Sequence, residues 1–576
     1  MVLPEGRDDR MLKGIGVSKG IGCAPALRWE LRAVEIPNAP AADRVAEMAA
    51  LRRAIDASIA ENTALYQETR TRAGEAEAAI FASHNMILED EDSFCLPALE
   101  LVREEGLNAA AAAARILDEV IEMMFSVEDT HLQERAADFR DVRDQVIRHI
   151  LGQPAADLAR LDRPVILVAR DPSPSDTIRM DVSKVAGIVC QEGGKTSHTA
   201  ILAKAMGLPA VVACSGVLDV VQDGDLIVMD GAAGEVICRP DEAQTAHFRQ
   251  RALALDAERQ ALDAFRGVPS ATQDGHRIKI CANIATPAEC AAAVAGDCEG
   301  IGLFRSEFLY MDRDELPSED EQFQAYRQTL ETAAGRTVTI RTLDAGGDKK
   351  LPLLTLREDN PFLGYRAIRI CLDQPHVLKT QLRALYRASV FGRLQIMFPM
   401  ISTLQELRQA KAIAEEVRTE LRNAGIPFSD NVPLGMMVEI PAAAVAADLF
   451  ARESDFFSIG TNDLVQYTVA VDRGNKKLEH LYTHYHPAVL RLIQNTIRAA
   501  HEAGIHCCMC GEAAGDLRFI PVLLGMGLDE FSMSAPSILP ARQKVLSQSM
   551  DGCRALAAAV VYCSTADEVQ ALLAQM

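Results

Sequence analysis

"EGGKTSHTAILAK", residues 192–204, decides between two folds. Gly194, Lys195 and Thr196 match the end of the phosphate loop G-x-x-x-x-G-K-[ST], which would make this a mononucleotide-binding domain. The pattern fails where it begins: Val189 stands where the leading glycine belongs, and a branched side chain there denies the loop its tight turn. His198 then needs its own explanation. It follows the β-type run "VAGIVCQ" and two glycines, and it opens a helical pattern. Phosphate on its imidazole would sit at the positive end of that helix, close to unpaired N–H groups. A histidine so placed can carry a phosphoryl group covalently, or it can simply cap the helix.

Outward from this turn, residues 163–240 read as short β-branched runs, "RPVILVAR", "VAGIVCQ", "PAVVAC" and "DLIVMD", separated by Gly, Pro and Asp. Residues 38–150 are different. Alanine-rich and charged stretches such as "EMAALRRAIDASIAENTALYQETR" and "NAAAAAARILDEVIEMM" carry a helical period, so a helical segment is inserted into a small mixed domain. Residues 12–28 are glycine-rich, but a G-x-G-x-x-G starting at Gly14 would need glycine where Lys19 stands, so a strand with a turn is expected. Residues 241–265 read as one exposed helix, and "RGVPSATQDG" after it as a boundary.

Beyond 275, strand and helix patterns alternate to the end. "RIKICANI", "EGIGLFR", "VTIRTLD", "LQIMFPM", "PLGMMVEI", "FFSIGT", "IHCCMC" and "EFSMS" give the strand count of a closed (β/α)8 barrel. Chemistry in such barrels sits at the carboxyl ends of the strands, and Arg305, Asp344, Glu439, Asn462 with Asp463, and Cys510 all fall there. Arg305, Arg341, Arg366 and Arg473 could together hold a small, multiply anionic ligand, because a guanidinium pairs bidentately with phosphate or carboxylate. Glu439 and Asp463, on neighbouring strands, are hard oxygen donors suited to Mg²⁺, or else partners of those arginines in salt bridges.

Composition narrows the classes. A chain of 576 residues with 49% hydrophobic content is too long for one ordinary core. A net charge of -22 argues against a nucleic-acid partner. No apolar run is long enough for membrane insertion, and the start lacks the apolar stretch of a signal peptide, so a cytoplasmic protein is expected. The 14 cysteines show no spaced metal-ligand pairs and suit reduced thiols. In the one C-x-x-C, Cys507 and Cys510 would face opposite sides of a strand, a poor chelate or disulfide.

Taken together the motifs carry a resemblance. "GGKTSHTAILAKAMGLPAVV" resembles the phosphohistidine segment of phosphoenolpyruvate-utilising enzymes. "GIGLFRSEFLYMDR", "RTLDAGGDK", "NPFLGYRAIR", "MVEIPAA", "SIGTNDLVQYTVAVDRGN" and "MCGEAAGD" resemble barrel motifs of enzyme I of the phosphoenolpyruvate:sugar phosphotransferase system. The likeness runs from about Leu12 to the C-terminus, with residues 1–10 as an extension and Met11 as a possible alternative start. It implies a multidomain α/β protein in which a swivelling phosphohistidine α/β domain (1–30 and 151–240) carries an inserted helical subdomain (31–150) that docks the phosphocarrier protein HPr. A helical linker and hinge (241–274) then leads to a (β/α)8 TIM-type barrel (275–576) that binds phosphoenolpyruvate and forms a homodimer.

The resemblance further implies that His198 accepts phosphate from phosphoenolpyruvate with Thr177 hydrogen-bonded to it. Arg305, Arg341, Arg473 and Asn462 would hold the substrate, with Lys349 and Arg366 nearby. Glu439 and Asp463 would ligate Mg²⁺, and Cys510 would protonate the departing enolpyruvate. Family members commonly carry arginine where Lys195 and Lys204 stand, and lysine lacks the bidentate fork. Dikinases and synthases that share the phosphohistidine and barrel parts add a large ATP-binding domain, for which 38–150 is too short. A non-catalytic phosphoenolpyruvate-sensing regulator would not need the full reactive set. Acidic residues outnumber basic ones in the helical segment, which suits a partner with a basic surface and equally suits solubility.

Overall fold

Strands β3 (Ile21–Trp29), β4 (Val165–Ala169), β5 (Val185–Cys190) and β6 (Ala210–Val212) run parallel side by side in the first half of the chain. Every residue of β4 is buried, as expected for a strand covered on both faces. Ile166 and Val168 enter one apolar cluster and Leu167 another, following the two-residue period of the strand. The computed structural model of the protein describes all residues except 1–9, 30–35, 38–39, 73–74, 127–129, 154–157, 159–160, 173–179, 195–196, 312–314, 347–357, 359, 474, 476 and 576.

The rest of this sheet is antiparallel. With β1 (Met11–Lys13), β2 (Ile15–Ser18), β7 (Leu226–Asp230) and β8 (Glu235–Cys238), the order is β1-β8-β7-β3-β4-β5-β6-β2. The strand with a turn expected at 12–28 is therefore three strands, and β8 was not read from the sequence. The reason lies at Gly14. It alone separates β1 from β2, which occupy opposite edges of the sheet, so the sheet curls until its edges are neighbours. A Cβ on Gly14 would lie 2.6 Å from the Val212 carbonyl oxygen, so only glycine fits this crossing.

Between β3 and β4 the chain forms helices Arg44–Arg72, Glu75–Glu89, Ala109–Ser126 and Thr130–Leu151, which share a core of Leu51, Ile55, Leu88, Phe94, Leu117 and Val142. The apolar stripe of the alanine-rich helix faces this core.

The second half closes on itself. Strands β9 (Lys279–Ile284), β10 (Ile301–Arg305), β11 (Thr337–Arg341), β12 (Arg393–Phe398), β13 (Leu434–Val438), β14 (Phe456–Ile459), β15 (His506–Met509) and β16 (Glu530–Met533) are all parallel to their neighbours, and β16 pairs with β9. The expected eight-stranded barrel is present. Ile280, Ala282 and Ile284 pack outward against the helices, whereas Leu303, Met397, Met437, Phe456 and Cys510 cluster inside.

The chain divides into two compact units, Met1–Arg259 and Gln260–Met576, so the segment expected as the hinge, 241–274, is shared between them. Helix Glu242–Asp263 crosses the division. Residues after it belong to the barrel unit: Arg542 donates to the Phe265 carbonyl and to Ser270, and the Asp274 carboxylate accepts from the Met550 amide.

Candidate functional site

The carboxyl ends of the barrel strands enclose a cavity of about 780 Å³. Its walls include Arg305 at the end of β10, Arg341 at the end of β11, Glu439 immediately after β13, Asn462 and Asp463 beyond β14, and Cys510 immediately after β15. Asp344 and Arg473 also line it. Residues that the sequence places at separate strand ends thus share one space. Arg366 does not line it. It is fully buried behind, 3.1 Å from Asp344 and 3.6 Å from Asp463, and it donates to the Tyr467 hydroxyl. Lys349 and Thr177 lie outside the described residues.

Charge is balanced tightly here. Arg341 is held by Glu307 at 2.8 Å and Asp344 at 2.9 Å. Burial alone would weaken its charge, yet Asp344, Glu307 and Glu439 keep it protonated well above the ordinary arginine value. Burial, then Asp463 and Asp344, push the Glu439 carboxyl up to about 8, against the pull of Arg341 and Arg366. Glu439 accepts from the Met400 amide, and Gly460 passes so close that a Cβ there would lie 2.9 Å from its carboxylate. Asp463, in the first turn of helix Thr461–Val469, is buried, and among the described residues its Oδ1 accepts no hydrogen bond, with the Arg473 guanidinium 3.8 Å away. Two crowded buried carboxylates with a spare oxygen donor fit a small hard cation such as Mg²⁺.

The remaining walls are fixed by hydrogen bonds. Asn462 and Glu512 lock each other: the Glu512 amide donates to Asn462 Oδ1, and Asn462 Nδ2 donates to the Glu512 carboxylate. The Ser458 hydroxyl donates to the Cys510 sulfur at 3.2 Å. Asn283, at the end of β9, was not singled out from the sequence; its amide donates to the Cys510 and Ser532 carbonyls. Glu307, also missed, is buried beneath Arg341. Its signal was its place two residues after Arg305, at a strand end.

In the other unit, His198 is the first residue of helix His198–Met206, which joins β5 to β6. Ser197 caps this helix, accepting from the Ala200 amide and donating to the Gly194 carbonyl, so the capping role considered for His198 is already filled. The positive end of this helix therefore lies at His198. A second cavity, of about 500 Å³, lies among the inserted helices, with an apolar floor of Ile87, Phe94, Leu117 and Phe139. Met86 and Met123 stand exposed on its rim with Asp90 and Arg135, and Asp138 lies deeper, 3.8 Å from His84.

Comparison with known proteins agrees with this division. Family models of the phosphoenolpyruvate-utilising enzymes match in order: the N-terminal part at 13–135, the mobile domain at 161–234 and the phosphoenolpyruvate-binding domain at 259–550. The chain is 44% identical over 561 residues to the phosphoenolpyruvate-protein phosphotransferase of Staphylococcus carnosus, covering 97% of this chain and 98% of that one. It is 45% identical over 562 residues to the protein of the same name from Geobacillus stearothermophilus, covering 97% of each. An enzyme I protein solved by NMR is 31% identical and aligns over 42% of this chain and 99% of its own, with a TM-score of 0.37. With the histidine turn, the helical insert and the barrel cavity each falling under its own part of that family, the chain belongs to the phosphoenolpyruvate-utilising enzymes, among the phosphoenolpyruvate-protein phosphotransferases.

Proposed function

We propose that the protein moves the phosphoryl group of phosphoenolpyruvate to His198 and from there to the phosphocarrier protein HPr, releasing pyruvate, as the first step of sugar uptake by the phosphotransferase system. The observation that carries this reading is the convergence of Arg305, Arg341, Arg473, Asn462, Glu439, Asp463 and Cys510 on one cavity. A trianionic substrate needs that many cationic and amide donors, and phosphoryl transfer is mainly a matter of positioning and charge neutralisation. Arg305, Arg341 and Arg473 bind the carboxylate and phosphate, with Asn462 as a further donor. Glu307 and Asp344 hold Arg341 in place, while Arg366 steadies Asp344 and Asp463 from behind. Glu439 and Asp463 hold Mg²⁺, which when bound neutralises charge on the transferring group.

The His198 imidazole attacks phosphorus, the P–O bond to the enol breaks, and enolpyruvate remains in the cavity. The Cys510 thiol gives its proton to the enolpyruvate carbon, yielding pyruvate, and recovers a proton from solvent. His198 and the cavity belong to different units, so the units must meet for charging and separate for delivery. The cleft among the inserted helices receives HPr, its exposed Met86 and Met123 offering adaptable apolar contacts beside the charged Asp90 and Arg135. We place the protein in the cytoplasm and read it as a homodimer through the barrel. A purely sensory role is disfavoured by the protonated thiol in the cavity, which binding alone does not need.

The test is labelling with radioactive phosphoenolpyruvate, Mg²⁺ and HPr. Wild type should acquire an acid-labile phosphate and pass it on, and His198→Ala should take none while keeping its fold by circular dichroism. Undiminished labelling of that variant would overturn the assignment.

A further inference from the structure

At the amino-terminal end of the barrel, opposite the cavity, β15, β16 and β9 bring together donors that the phosphoryl chemistry does not use. His506 opens β15 and Cys508 follows two residues later, so both share a face. Strand register sets Cys508 beside Glu530 of β16, and Glu530 beside Lys279 of β9. Ligand atoms of His506, Cys508 and Glu530 all lie within 4.8 Å of one another. Cys281, two residues along β9 from Lys279, is buried and lies on the same face of that strand.

Glu530 is the telling residue. It is 6% exposed, and among the described residues its one ion pair is with Lys279 Nζ at 4.0 Å, beyond hydrogen-bond reach, on a side chain 57% exposed. A carboxylate buried beside a thiol with so weak a cation is costly unless something else neutralises it. His506 is partly exposed, giving a path in from the amino-terminal mouth, and its ring is stacked on Phe456 with centroids 5.8 Å apart, which fixes its plane.

We infer that His506, Cys508 and Glu530, with Cys281 of the neighbouring strand moving in as the fourth ligand, form a binding site for a zinc-type divalent cation that clasps β15, β16 and β9 together. Thiolate, imidazole and carboxylate form a mixed soft set that selects Zn²⁺, in contrast to the all-oxygen pair at the other end of the barrel. As the metal enters, the thiol protons of Cys508 and Cys281 leave to solvent, and Lys279 moves aside as a counter-charge. The site lies at the barrel face associated with stability, and β16 to β9 is the pairing that closes the barrel.

The experiment uses the full chain, reduced and stripped of metal, titrated with Co²⁺ alone as the spectroscopic probe. A thiolate-to-cobalt charge-transfer band should appear and saturate at one equivalent. It should vanish in Cys508→Ser, weaken in Cys281→Ser and persist in Cys510→Ser, whose sulfur faces the substrate cavity. If Cys508→Ser does not fold, His506→Gln, at the exposed edge of the site, should give the same loss. No band in the wild type, an undiminished band in Cys508→Ser and His506→Gln, or a band lost only in Cys510→Ser would each overturn the inference.

Discussion

A thiol can serve as an acid at neutral pH only if it still holds its proton there. Burial pushes Cys510 up to about 11, with the Ser458 hydroxyl and Arg341 pulling the other way, so it is protonated where it lines the cavity. Alkylation of Cys510 should therefore be slow at neutral pH and rise about tenfold per pH unit until the solution approaches its folded value, as peptide mapping would follow. Cys510→Ala should bind phosphoenolpyruvate yet lose about 10²–10⁴-fold in pyruvate formation. Full turnover would assign the proton to water or another acid. Asp516, on the same cavity wall, shows the opposite shift. Burial would raise it, but hydrogen bonds from His484, Tyr485 and the Arg518 amide win and hold it well below the ordinary carboxylate range. A depressed carboxylate stabilises the fold above its unfolded value and loses that contribution as pH falls through the folded one. Asp516→Asn should be less stable at neutral pH, with the gap to wild type closing below about pH 4 in acid-unfolding curves. A constant gap would mean the side chain acts through packing.

Elements were legible where a short apolar run stood between Gly, Pro or Asp, which is why the barrel strands could be read directly and why their polar last residues pointed to a site. β8 was missed because four residues after a turn carry too little pattern, and the split at Gly14 because it depends on a sheet edge supplied from far along the chain. The same holds for side chains. Asn283 matters through Cys510, and Glu307 through Arg341, and sequence order records neither pairing. Close packing between elements is equally invisible beforehand. Gly511 follows Cys510, and a Cβ there would lie 1.9 Å from Thr461 Oγ1 and 2.5 Å from the Thr461 amide, at the start of the helix that carries Asn462 and Asp463. Gly511→Ala should cost about 1–3 kcal/mol and raise KM for phosphoenolpyruvate by forcing these strand ends apart. Thermal melting and steady-state kinetics together check this, and wild-type values in both would show that the contact yields freely.

At the scale of the molecule, the reading of function depends on two units that hold different halves of the chemistry. The first has its own sheet and helical cores, and the barrel has another, so each should fold separately. Helix Glu242–Asp263 crosses the division, which makes a cut after it, rather than within it, the informative one. A fragment ending at residue 263 contains His198 and the helical cleft but lacks Arg305, Arg341, Arg473, Glu439, Asp463 and Cys510. It should exchange phosphate reversibly with phospho-HPr and gain none from phosphoenolpyruvate. The barrel fragment should bind phosphoenolpyruvate with Mg²⁺ and accept no phosphate. Mixing the two should restore slow, concentration-dependent labelling of His198, because the connecting helix contributes proximity and no reacting group. Phosphoenolpyruvate-dependent labelling of the first fragment by itself would place substrate binding outside the barrel and undo the assignment of the cavity.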